Sequence, residues 1–230
     1  MPKHIGIVAV SPEGAALCYR DILRHASHIL GDTGHPRVSL HNEPFELYIA
    51  ALMRDDWHTI GDLLRTSAQK LAAIGAQICI TPDNVMQHGV HLAEHGSPIP
   101  WITMTNLVAD AVANDGRKVV GLIGTKMVMF GSTYQTMLGL KGVKVLAPNA
   151  EDAENIDSII FGELVHGQCR DASRTLIVDA IKRLADRGAE AVILGSSEAP
   201  LAINADCPSP LPAYDPVSLL AEGTVKLAIA

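Results

Sequence analysis

Residues 75–84, GAQICITPDN, and residues 188–198, GAEAVILGSSE, are two versions of one phrase. Each opens on Gly-Ala, runs through a short apolar stretch and breaks into small polar residues. Eight positions beyond Gly75 stands Asp83, and eight beyond Gly188 stands Ser196. Upstream, IGIV at 5–8 has its counterpart in VGLI at 120–123. The repetition predicts two similar lobes, each with a strand that ends on the polar group in question.

The surrounding sequence supports that division. HIGIVAV, RVSLHN, ICIT, PWITM, KVVGLIG, KVLAP and AVILG are short apolar runs flanked by Gly, Pro or Asn, as strands buried on both faces are. Between them lie stretches with helical periodicity, such as Ile60, Leu63, Leu64, Ala68 and Leu71, or Ile177, Ala180, Ile181 and Leu184. Alternation of this kind predicts an α/β fold of two pseudo-symmetric lobes, each a mainly parallel sheet flanked by helices. The first lobe is expected over residues 1–100 and 208–230, the second over 101–207.

Composition narrows the function. Hydrophobic residues make up 48% of the 230 positions, yet no apolar run approaches the roughly 20 residues of a membrane span. MPKHIGIVAVSPEGA reads as a first strand and lacks the apolar core and cleavage site of a secretion signal, so a cytoplasmic protein is expected. The net charge of -7, without clustered Lys and Arg, argues against nucleic acid as partner. Cys18, Cys79, Cys169 and Cys207 are widely spaced, which fits reduced thiols better than a disulfide or zinc framework.

Ligands of open α/β sheets bind beyond the carboxyl ends of the strands. The strand ends at Ser11, Asp83, Thr125 and Ser196 are therefore expected to converge on one small cleft, rich in hydroxyl and N–H groups. No GxGxxG or GxxxxGK[ST] loop is present, so the cleft suits a small carboxylate better than a nucleotide.

Taken in order, IGIVAVSPEGA, LHNEPF (40–45), DWHTIGDLL (56–64), PDN (82–84), LIGTKMVM (122–129), IDSIIFGELVHGQ (156–168), ILGSSEAPL (193–201) and PAYDPVSLLAEG (212–223) resemble the aspartate/glutamate racemase superfamily nearly end to end. Active members carry two cysteines that exchange a proton with the substrate α-carbon from opposite sides, without cofactor or metal. By that resemblance the two positions fall on Asp83, before Asn84, and on Ser196, in Gly195-Ser196-Ser197-Glu198; neither is cysteine. The following Thr falls on Val85, the His after it on Gln87, and a C-terminal His on Leu220, with Asp215 retained. The resemblance implies Asp83 and Ser196 as catalytic positions. For substrate binding it implies Ser11, Asn42, Asn84, Val85, Thr125, Lys126, Ser197 and Glu198. It also implies a small carboxylate substrate and a homodimer.

A carboxylate at Asp83 can still act as a base, whereas a serine needs a neighbouring base to do so. This asymmetry leaves open a racemase-type isomerase, a lyase or decarboxylase, and an inactive carboxylate-binding homologue. Structural readings stand beside these. Asp83, Ser196 and Ser197 suit helix caps or turns, and Thr125 can simply end a strand. Cys79 suits a buried thiol, and His88, His91 and His95 suit a solvated helix face rather than a metal site.

Overall fold

The computed structural model describes residues 1–230 and divides them into two compact units, Met1–Met104 with Val217–Ala230, and Thr105–Pro216. The chain begins with β1 (Ile5–Ala9), α1 (Pro12–Leu30), β2 (Val38–Asn42), α2 (Phe45–Leu52), α3 (Trp57–Ala73), β3 (Ile78–Ile80) and α4 (Gln87–Glu94). It continues with α5 (Met104–Asn114), β4 (Val119–Gly124), α6 (Lys126–Phe130), α7 (Ser132–Leu140), β5 (Lys144–Leu146) and α8 (Ala150–Gly162). α9 (Asp171–Asp186), β6 (Ala191–Gly195), β7 (Ala213–Tyr214) and α10 (Pro216–Ile229) complete it.

The first unit holds a parallel sheet of order β2-β1-β3, the second a parallel sheet of order β5-β4-β6-β7. The sequence repeat is thus a topological repeat. IGIV and VGLI form the central strands β1 and β4, and the two GA phrases form their neighbours β3 and β6. Both central strands are almost wholly buried, because helices cover both faces of a parallel sheet.

The repeat extends one position further than the apolar runs suggest. Trp101 makes a parallel bridge to Cys79, with Cys79 N–H donating to Pro100 O at 2.9 Å and Ile102 N–H to Cys79 O at 3.0 Å. In the second unit β7 lies on β6 in the same way, and Val192 N–H donates to Pro212 O at 2.9 Å. PWITM is therefore a single bridge and not the strand its composition predicts. Pro100 has no N–H to give a ladder, and Met104 already begins α5. β2 is a second correction: it is an edge strand with only partial burial, not one covered on both faces.

Each unit packs a core against its sheet. In the first, Ile60, Leu64, Ala68 and Leu71 of α3 are fully buried with Val8, Val10 and Cys79, while Leu63 is partly buried at the margin. In the second, Ile177, Ala180, Ile181 and Leu184 of α9 join Ile156, Ile159 and Ile160 of α8. Burial pushes the Cys79 thiol far up, so it is an inert core group.

The turn between α8 and α9 is held by one carboxylate. Glu163 accepts from Ser173 Oγ at 2.6 Å and from Arg170 N–H at 2.8 Å. The Ser173 hydroxyl first, and the Arg170 N–H second, hold its carboxyl below the usual range. Its folded form is more acidic than its unfolded form, so its contribution is present above the unfolded pKa of about 4.3 and is lost as pH falls through the folded value. Glu163→Gln is expected to flatten the acid side of the stability profile in urea titrations between pH 3 and 7.

Candidate active site

The predicted polar residues lie at the carboxyl ends of their own unit's strands, and two of them, Ser11 and Thr125, cap the helices that follow. In the first unit Ser11 follows β1 and caps α1, accepting from Gly14 N–H at 3.3 Å, with Pro12 at the first helical position. Asp83 follows β3; its Oδ1 accepts from Val85 N–H at 2.9 Å and Met86 N–H at 3.0 Å. Val85 thus contributes its backbone to the loop. Asn84 is buried beside it. Asn42 ends β2 and works as a strap, its Nδ2 donating to Glu43 O at 2.8 Å, Ala9 O at 3.3 Å and Val10 O at 3.4 Å.

Gln87 holds the Asp83 loop from below. It is 2% exposed, and its Nε2 donates to Thr81 O at 3.0 Å and to Asp83 O at 3.1 Å, while its Oε1 accepts from Met104 N–H at 2.9 Å. By the resemblance this position is only a missing histidine. A long amide in the first turn of a helix beside a strand-end loop is the signal that pointed to a strap.

In the second unit Thr125 follows β4 and caps α6, accepting from Val128 N–H at 3.4 Å. Lys126 points elsewhere: its Nζ pairs with Glu154 at 2.7 Å, and its N–H donates to Asp157 Oδ1 at 2.7 Å. The Glu154 hydrogen bond raises the Lys126 ammonium above its ordinary range. Ser196 follows β6 with Ser197 and Glu198, and all three are buried. Ser196 Oγ donates to Glu198 Oε2 at 2.8 Å, and Glu198 N–H approaches Ser196 Oγ at 3.4 Å. The sequence alone does not show that pairing, and the resemblance assigns Glu198 to the substrate instead. Carboxylate and hydroxyl two residues apart across a tight turn are its only sequence trace.

Two glycines bring these ends together. Gly124 and Gly195 are register partners, and a Cβ on Gly124 would sit 2.5 Å from Gly195 O. Gly124→Ala is therefore expected to lower stability by about 1–3 kcal/mol, measured by urea denaturation, because backbone must move to admit it.

His88 and His91 lie on α4, and His95 is its C-terminal cap; all three are exposed, and His88 packs edge-on to Trp57 at 4.6 Å. No group of three or more His, Cys, Asp or Glu side chains is arranged to hold a metal. No helix is long and apolar enough to cross a membrane.

The fold is two α/β units built on one repeated plan, each with a parallel sheet and with hydroxyl and carboxyl groups at its strand ends. The chain belongs to the Asp/Glu/hydantoin racemase family, whose sequence profile matches residues 7–224. A Yersinia pestis protein described as a candidate Asp/Glu racemase is 26% identical, with TM-score 0.88 over 99% of this chain and 100% of that one. An aspartate racemase homologue from Pyrococcus horikoshii OT3 is also 26% identical, with TM-score 0.85 over all of both chains. Glutamate racemase from Francisella tularensis, solved with D-glutamate, shares the fold at 18% identity and TM-score 0.69, over 99% of this chain and 81% of that one.

Proposed function

We propose that the protein is a cofactor-independent isomerase that moves the α-proton of a small amino acid or dicarboxylate, with Asp83 and Ser196 as its two proton-transfer groups. The observation that carries this reading is the buried hydrogen bond from Ser196 Oγ to Glu198 Oε2 at 2.8 Å. A serine hydroxyl alone is a poor base, and an adjacent carboxylate makes it a working one. Ser196 Oγ takes the α-proton as its own proton passes to Glu198, and protonated Asp83 delivers a proton to the opposite face of the α-carbon. In reverse, the Asp83 carboxylate takes the proton and the Glu198 acid returns one through Ser196.

Ser11, Asn84, Thr125 and Ser197 form the set that receives the substrate carboxylate and the negative charge that builds on it. The D-glutamate bound by the Francisella tularensis relative supports a carboxylate ligand. A homodimer in the cytoplasm belongs to the same proposal. The chemical inequality of the two groups favours, as a second reading, a one-directional elimination or decarboxylation that uses Asp83.

The deciding experiment follows α-proton exchange in D2O by NMR with D- and L-aspartate, D- and L-glutamate and alkyl-substituted carboxylates. Exchange that Ser196→Ala suppresses supports the proposal. Thermal stabilisation by a carboxylate without exchange or product identifies a binding protein instead.

A further inference from the structure

Beside Ser196 the core of the second unit leaves one small gap. A cavity of about 10 Å³ lies between the ends of β4 and β6 and the helices α8 and α9, bordered by Gly124, Ser196, Ala199, Ala202 and Ile203. The rest of its wall is Ile and Leu side chain. That volume matches one water-sized group. A water there would need two to four polar partners, and the wall exposes no polar surface, the Ser196 hydroxyl being turned to Glu198. The recess thus suits a small apolar group and disfavours a carboxylate, whose desolvation nothing on the wall would offset.

We infer that this recess is a side-chain subsite that receives a methyl-sized alkyl branch of the substrate next to Ser196. The inference rests on the proposed role of Ser196 at the substrate. It narrows the substrate class to small carboxylates that carry an alkyl branch, with Ala199, Ala202 and Ile203 setting its size. A hydrophobic pocket discriminates a single methylene by roughly 10- to 200-fold, and the lower end fits a recess this small.

The test compares binding of succinate with each enantiomer of methylsuccinate, and of glycine with alanine, by calorimetry on the full-length protein. At least one methyl-bearing ligand is expected to bind about tenfold more tightly than its unbranched partner. Ala202→Val, which fills the recess, is expected to bring that ratio close to one. Equal affinities in the unaltered protein, binding of neither pair, or a ratio that survives in a folded Ala202→Val protein would each overturn the inference. Should Ala202→Val not fold, Ile203→Ala decides: enlargement is expected to move the preference from methylsuccinate to ethylsuccinate, and an unmoved preference counts against the subsite. Exchange measured on the same samples separates the two readings. Proton exchange without methyl discrimination removes the subsite and leaves the isomerase. Methyl discrimination without exchange does the reverse.

Discussion

Asp83→Asn is expected to remove α-proton exchange by at least 100-fold while leaving the fold almost as stable as before. The separation follows from the two things the side chain does. As the holder of its turn, Asp83 offers Oδ1 to the N–H groups of Val85 and Met86. An asparagine oxygen accepts the same two bonds, and Asn and Asp both favour such turns. As a base, the carboxylate is irreplaceable by an amide, and positioned general acid–base groups contribute about 10²- to 10⁴-fold. Asp83→Ala should lose both, adding about 1 kcal/mol of instability to the loss of exchange. NMR exchange rates and urea denaturation of the two variants check the pair of effects. If Asp83→Asn exchanged like the unaltered protein, Asp83 would hold its turn and do nothing more.

The largest loss of stability is expected from Gln87→Leu. Leucine fills much of the same space, but Met104 N–H, Thr81 O and Asp83 O lose their common partner. Leaving a buried polar group unsatisfied costs about 1–3 kcal/mol, and for this cluster a total of about 3 kcal/mol is expected. In a chain of this size that corresponds to a fall in Tm of roughly 10 °C. Exchange should fall with it, since the Asp83 carbonyl is one of the two that Gln87 holds. Gln87→Glu sharpens the assignment. Its ionised form would set an oxygen against two carbonyls, whereas the acid can still donate to one of them. The folded protein therefore raises that carboxyl's pKa, so stability should be greatest below the unfolded value of about 4.3 and fall as pH rises. A thermal-denaturation series from pH 4 to 8 reads the sign directly. A flat profile would mean that the amide proton of Gln87 holds nothing.

How much of this was legible in the sequence depends on how far apart the interacting groups lie. The central strands, the apolar faces of α3 and α9, and the repeat were readable, because burial of a strand or helix face leaves a local period in the chain. The positions of Asp83 and Ser196 at strand ends were readable too, since the repeat counts them off from Gly75 and Gly188. The half-covered state of β2 was not, because a central and an edge strand have similar composition and differ only in what lies beside them. Nor was the reduction of PWITM to a single bridge, where a proline without an N–H and the start of α5 outweigh β-favouring side chains.

The site divides along the same line. The residues' own chemistry, and their habit of capping whatever follows a strand, marked the polar groups before any fold was known. The partner that each side chain meets was decided by tertiary packing. Lys126 finds Glu154 because α6 lies against α8, 28 residues on. Gln87 reaches Met104 across the end of β3. Ser196 meets Glu198 because the turn after β6 folds the carboxylate back onto the hydroxyl. Sequence determined which chemical groups stand at the strand ends, since type and spacing are written in it. Packing decided which of them are engaged with one another, since hydrogen bonds depend on distances that only the folded backbone sets.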